Sequence, residues 1–146
     1  MRRSRQTGTI DFSVTVASSE VLELTSEPDV VSVRRRVREL AAQLNFSLVD
    51  QTKLVTAASE LARNTLIYGG GGQMLVEVMN GPRTGLRLSF EDKGPGIPDI
   101  NMALRDGFTS GSGLGLGLGG AKRLVSEFEI VSKVGEGTRV TITKWK

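Results

Sequence analysis

Between Leu86 and Glu91 apolar and polar side chains alternate, with Leu86, Leu88 and Phe90 on one parity and Arg87, Ser89 and Glu91 on the other. A period of two marks a strand that is buried on one face only. Met74, Val76 and Val78 repeat the pattern upstream across the turn residues Asn80-Gly-Pro, and segments 130–134 and 139–145 predict a hairpin across Gly135-Glu-Gly137. A sheet with one wet face needs cover on the other. Val33, Val37, Leu40 and Leu44 predict a first covering helix at about 30–44, introduced by the turn signal Thr25-Ser-Glu-Pro-Asp29. Leu54, Ala58, Leu61 and Thr65 form the stripe of a second, which opens with the capping spacing Ser47-Leu-Val-Asp50 and is stopped near residue 68 by glycines 69–72. Ala121, Leu124, Val125 and Phe128 predict a third. The expected fold class is α+β, a two-layer sandwich of a mixed, mainly antiparallel sheet with helices on one face.

A chain of 146 residues suffices for one domain with one core, here 20–146, and leaves no room for a second. Residues 1–19 are polar and read as a flexible N-terminal extension with room for an edge strand near Val14 and Val16; Val21, Leu22 and Leu24 predict a short strand. There is no cysteine and no histidine, which removes disulfides, thiolate metal sites and imidazole chemistry, so acid–base work falls to carboxylates. Arg2, Arg3 and Arg5 account for the whole net charge of +3 and lack the stacking aromatics of a nucleic-acid arm. Arg34, Arg35, Arg36 and Arg38 sit around an apolar helical stripe and read as a solvent face, with a partner-docking face as the alternative. No apolar run approaches the roughly 18 residues of a membrane span. The expectation is a cytoplasmic protein with neither nucleic acid nor membrane as partner.

The alternation that buries Leu86, Leu88 and Phe90 also aims the Asp92 carboxylate inward. An unpaired buried carboxylate costs several kcal/mol, so a donor must meet it. Two sources stay open: backbone amides in a local turn, or the exocyclic amine of an adenine. Gly94 and Gly96, spaced by Pro95, permit close backbone approach to a flat ring; Ile97 can pack on it, and Thr138, with the parity of Val140 and Ile142, brings a hydroxyl to the same side. Glu60 and Asn64 lie one turn apart on the second helix, about 80 to 100 degrees around from its apolar stripe, so they share the edge of the core. Read alone, they are an ordinary polar flank.

The stretch 107–120 has too many glycines for a stable helix interior, yet Leu114, Leu116 and Leu118 alternate in it and a helix follows. Such a segment suits a lid over phosphates, with helix-terminal amides and the hydroxyls of Thr109, Ser110 and Ser112 as donors. Gly115–Gly120 also fits G-x-G-x-x-G, but without a preceding strand or a following acid in context it is no dinucleotide fingerprint. Glycines 69–72 lack the Lys-Ser/Thr of a P-loop.

Glu60-Leu-Ala-Arg-Asn64, Asp92-Lys-Gly-Pro-Gly-Ile97, Gly111-Ser-Gly-Leu-Gly115 and Gly137-Thr138 resemble, in order, the N-box, G1, G2 and final Gly-Thr elements of the GHKL group of ATP-binding proteins. Within that group the chain is most similar to the bacterial switch-protein serine/threonine kinases of partner-switching stress modules, the stressosome kind above all, from about residue 21 to the end. The resemblance implies ATP and Mg²⁺ as cofactors. It implies that Asn64 ligates Mg²⁺, that Asp92 accepts from adenine, and that Gly94, Gly96, Ile97 and Thr138 shape the base pocket. Thr109, Gly111, Gly113, Leu114, Gly115 and Gly117 would form the lid, and Glu60 would take the proton of the attacking hydroxyl. It implies a STAS-type antagonist protein as substrate, with a phosphatase regulator or a sigma factor as a further partner. Two rivals stay open: an anti-sigma factor that sequesters a sigma subunit and uses kinase activity for release, and a catalytic domain detached from a histidine kinase.

Overall fold

A computed structural model describes residues 13–105 and 117–146. In chain order the elements are β1 (Thr15–Leu24), α1 (Glu27–Gln43), α2 (Leu48–Ile67), β2 (Gly72–Asn80), β3 (Gly85–Asp92), α3 (Ile100–Ala103), α4 (Gly117–Arg123), β4 (Glu127–Lys133) and β5 (Gly137–Trp145). The strands form one five-stranded sheet in the order β1-β2-β3-β5-β4. Every pairing among them is antiparallel, so the mixed character allowed for from the sequence is absent from the described strands. The expected α+β two-layer architecture holds.

The core lies between one face of the sheet and the two long helices. Val30, Val33, Val37, Leu40 and Ala41 of α1, Leu54, Ala58 and Leu61 of α2, and Met74, Val76, Leu86, Leu88, Phe90, Val140 and Ile142 of the sheet form one buried cluster. Ser47 caps α2 as its spacing predicts, its side chain accepting from Asp50 N at 3.1 Å. Thr65, buried in the apolar stripe, satisfies its hydroxyl by donating to Leu61 O at 2.9 Å, which is how a polar residue is accommodated there. The opposite face of the sheet carries polar groups such as the Glu77–Arg87 pair at 2.8 Å, across neighbouring strands. At its end the Trp145 ring lies on Gly85, where a Cβ would come within 2.5 Å of Cε3.

Two elements differ from expectation. The first strand is ten residues long and starts at Thr15, so the 19/20 boundary drawn from the sequence falls inside it. A register shift between Val16 and Ser18 breaks the parity, which places Val16 and Val21, five residues apart, on the same exposed face opposite Met79 and Leu75. The helix expected to run through Phe128 ends at Arg123, and Phe128 belongs to β4. There the chain is drawn into the sheet: Ser126 N donates to Thr143 O at 2.9 Å, Ser126 Oγ accepts from Trp145 N at 3.0 Å, and Lys144 Nζ donates to the Leu124 carbonyl at 3.3 Å. α4 instead begins inside the glycine run. Gly119 packs so closely on the Leu104 carbonyl that a Cβ would stand 2.3 Å from its oxygen, so glycine here serves packing.

Candidate functional site

Beside α2, the ends of β3 and β5, segment 95–99, α3 and α4 enclose a cavity of about 410 Å³. Glu60, Asn64, Asp92, Gly96, Ile97, Gly117 and Thr138 line it, so residues far apart in sequence come together as expected. Gly94 does not line it and packs behind, where a Cβ would stand 2.8 Å from Gly69 Cα. Thr109, Gly111, Gly113, Leu114 and Gly115 lie outside the described residues.

Glu60 is 4% exposed and, among the described residues, has neither a hydrogen-bond donor nor an ion-pair partner. Since burying such a group is unfavourable by several kcal/mol, an uncompensated acid facing a cavity is a functional signature rather than a stabilising one. The orphan acid expected from the sequence was Asp92. Its Oδ1 accepts from Gly94 N at 2.9 Å, which is the local-turn alternative, while Oδ2 makes no hydrogen bond among the described residues. The side chain is seated where residue 69 has no Cβ to obstruct it, since one would lie 2.3 Å from Asp92 Cγ. Asp92 is thus half satisfied by its own chain and half available.

Asp92 pairs across the strands with Thr138, and Thr138 with Ser132. The Ser132 and Thr138 hydroxyl oxygens are 2.7 Å apart, and Ile97 N donates to Ser132 Oγ at 2.8 Å. Gly135 N donates to Pro95 O at 2.8 Å, and a Cβ on Gly96, which adopts φ +79°, would meet Lys133 O at 2.4 Å. The loop after β3 is therefore pinned to the β4–β5 hairpin, which fixes the floor beside Asp92 and Thr138. The sequence reading missed Ser132, although its parity with Phe128 and Ile130 announces an inward hydroxyl.

Several residues that line the cavity, which Ser132 itself does not, were missed as well. Tyr68, one helical turn beyond Asn64, and Met102 bring apolar surface to the mouth. Asp99 caps α3 by accepting from Met102 N at 3.0 Å. Arg63 also lines the cavity, its Nη1 lying 3.6 Å from Glu27 Oε1. Among the described residues no cluster of three or more acidic side chains could cage a metal alone. Asn64, on the cavity wall, offers a hard amide oxygen, a donor that suits Mg²⁺ shared with phosphate oxygens and water.

Residues 49–146 match the family described as histidine kinase-, DNA gyrase B-, and HSP90-like ATPase. The chain is 46% identical over 125 residues, 85% of its own length and 94% of the relative's, to the serine/threonine-protein kinase RsbT of Bacillus subtilis. It is 30% identical over 117 residues, 77% of its length and 82% of the relative's, to the anti-sigma F factor of a Thermoanaerobacter species. Its fold is similar, with TM-score 0.62 and 21% identity over 88% of the chain, to the crystal structure of the RsbU and RsbW domains of Rv1364c from Mycobacterium tuberculosis, of which it spans 32%.

Proposed function

Because this chain belongs to the histidine kinase-, DNA gyrase B-, and HSP90-like ATPase family, we propose that it is an ATP-dependent protein serine/threonine kinase of a partner-switching system, acting on a STAS-type antagonist protein in the cytoplasm. The similarity to RsbT supports the kinase reading, and no helix among the described residues is long and apolar enough to cross a membrane. The observation that carries the mechanism is Glu60, buried at 4% exposure on the cavity wall with no partner among the described residues.

In this reading the free Oδ2 of Asp92 accepts from the adenine amine, Gly96, Ile97 and Thr138 shape the base pocket, and Gly94 lets the loop close on Gly69. Tyr68 offers an aromatic face. Asn64 would hold Mg²⁺, which would supply positive charge to offset the negative charge developing on the phosphates. Gly117, on the cavity wall, stands where the phosphates would lie. The substrate serine or threonine oxygen attacks the γ-phosphorus, the bond to the β-bridging oxygen breaks with its electrons leaving on ADP, and Glu60 takes the hydroxyl proton. Positioning and charge stabilisation do most of the work in such transfers.

Glu60→Gln keeps the shape and removes the base. Phosphotransfer to the partner from labelled ATP should fall about 10²- to 10⁴-fold with nucleotide affinity retained; transfer at the wild-type rate contradicts the assignment. The 30% identity to anti-sigma F factors favours one second reading, in which the output is sequestration of a sigma subunit. Pull-down separates the two, by whether the protein retains a STAS protein or a sigma subunit.

A further inference from the structure

We propose that Arg63 is the side chain that grips the terminal phosphates of the nucleotide, and that Glu27 holds its guanidinium in reserve until they arrive. This rests on the nucleotide reading above and adds a residue to it. Among the described residues the cavity wall carries three carboxylates, Glu60, Asp92 and Asp99, and a single cationic side chain, Arg63. Segment 106–116 contains neither lysine nor arginine. A triphosphate entering a cavity whose charged side chains are mostly acidic is repelled unless cations meet it, and a bound magnesium ion would offset only part of its charge. Arg63 is next to Asn64 in the chain and one helical turn from Glu60, so it stands beside the groups assigned to the phosphate end.

Its present partner is a weak one. The i,i+3 spacing would let Arg63 pair with Glu60, yet the guanidinium is turned to Glu27 in the first turn of α1, at 3.6 Å, with side chains 26% and 64% exposed. That separation is too long for a hydrogen bond, and an exposed pair of this kind is easily given up. A planar guanidinium binds phosphate oxygens in a charge-assisted fork, a stronger contact than the one it leaves. Glu27 then does two things: it keeps Arg63 from quenching Glu60 in the free protein, and it releases Arg63 to the incoming anion.

The test is binding of Mg·ATP and of AMP, which lacks the terminal phosphates, to wild type, Arg63→Ala, Arg63→Lys and Glu27→Gln, with circular dichroism confirming the fold of each. Arg63→Ala should weaken ATP about 10- to 100-fold while AMP affinity stays unchanged, with Arg63→Lys in between because it keeps the charge and loses the fork. Glu27→Gln should strengthen ATP by up to about fivefold and leave AMP alone. Equal losses for both nucleotides, or none for either, in the Arg63 variants overturn the phosphate contact; weaker ATP binding in Glu27→Gln overturns the reserve. A wild type that binds neither nucleotide counts instead against the function proposed above.

Discussion

At the scale of single residues, the proposed base pocket depends on Ser132, which neither lines the cavity nor carries charge. Its hydroxyl is the acceptor of Ile97 N at 2.8 Å and the neighbour of Thr138 Oγ1 at 2.7 Å. Ser132→Ala leaves that half-buried amide without an acceptor, a cost of about 1 to 3 kcal/mol. Urea denaturation should show a loss in that range, and KM for ATP should rise with kcat nearly constant, since the loop shapes the pocket without touching the reacting atoms. Ser132→Thr keeps a hydroxyl and should recover most of both. Parity alone revealed Asp92 and Thr138, because a side chain's direction in a strand follows from counting. Which acid lacks a partner was not legible. Asp92 finds the Gly94 amide two residues away, whereas the isolation of Glu60 depends on how α2, α3 and α4 close around it, which no local pattern encodes.

At the scale of elements, α1 is anchored by charge. The Asp29 carboxylate accepts from Thr25 N at 2.9 Å, Thr25 Oγ1 at 3.1 Å and Ser26 N at 3.1 Å. These bonds, the Thr25 amide foremost, hold its pKa below the ordinary 3.8 against a smaller opposing effect of burial. A lowered native pKa means the stabilisation is complete above that ordinary value and is lost as pH falls through the native one. The Tm gap between wild type and Asp29→Asn should therefore be constant from neutral pH down to about 5 and narrow below about 4; a gap that does not narrow in acid contradicts it. The helix start was legible in Thr25-Ser-Glu-Pro-Asp29, and so were α2 and the hairpin strands. The end of α4 was not, because Ala121, Leu124, Val125 and Phe128 keep a helical spacing that the hydrogen bonds of Ser126 to β5 override. β1 was blurred by its bulge, which interrupts the alternation a strand is recognised by.

At the scale of the whole molecule, a single antiparallel sheet with two long helices on one face leaves the site at the edge where α2 meets the ends of β3 and β5. The core holds those elements in fixed relation, and the binding and acid groups stand on them rather than on loops alone. In the proposed nucleotide complex Asp92 accepts twice at once, from Gly94 N through Oδ1 and from the nucleotide through Oδ2. An asparagine has one acceptor and cannot do both, whichever way its amide is turned. Titration calorimetry of Mg·ATP into wild type and Asp92→Asn tests this most directly. The account predicts measurable heat and one site per chain for the wild type, and affinity weaker by about 10- to 100-fold for the variant. No heat with the wild type, or equal affinity for the two proteins, would contradict it.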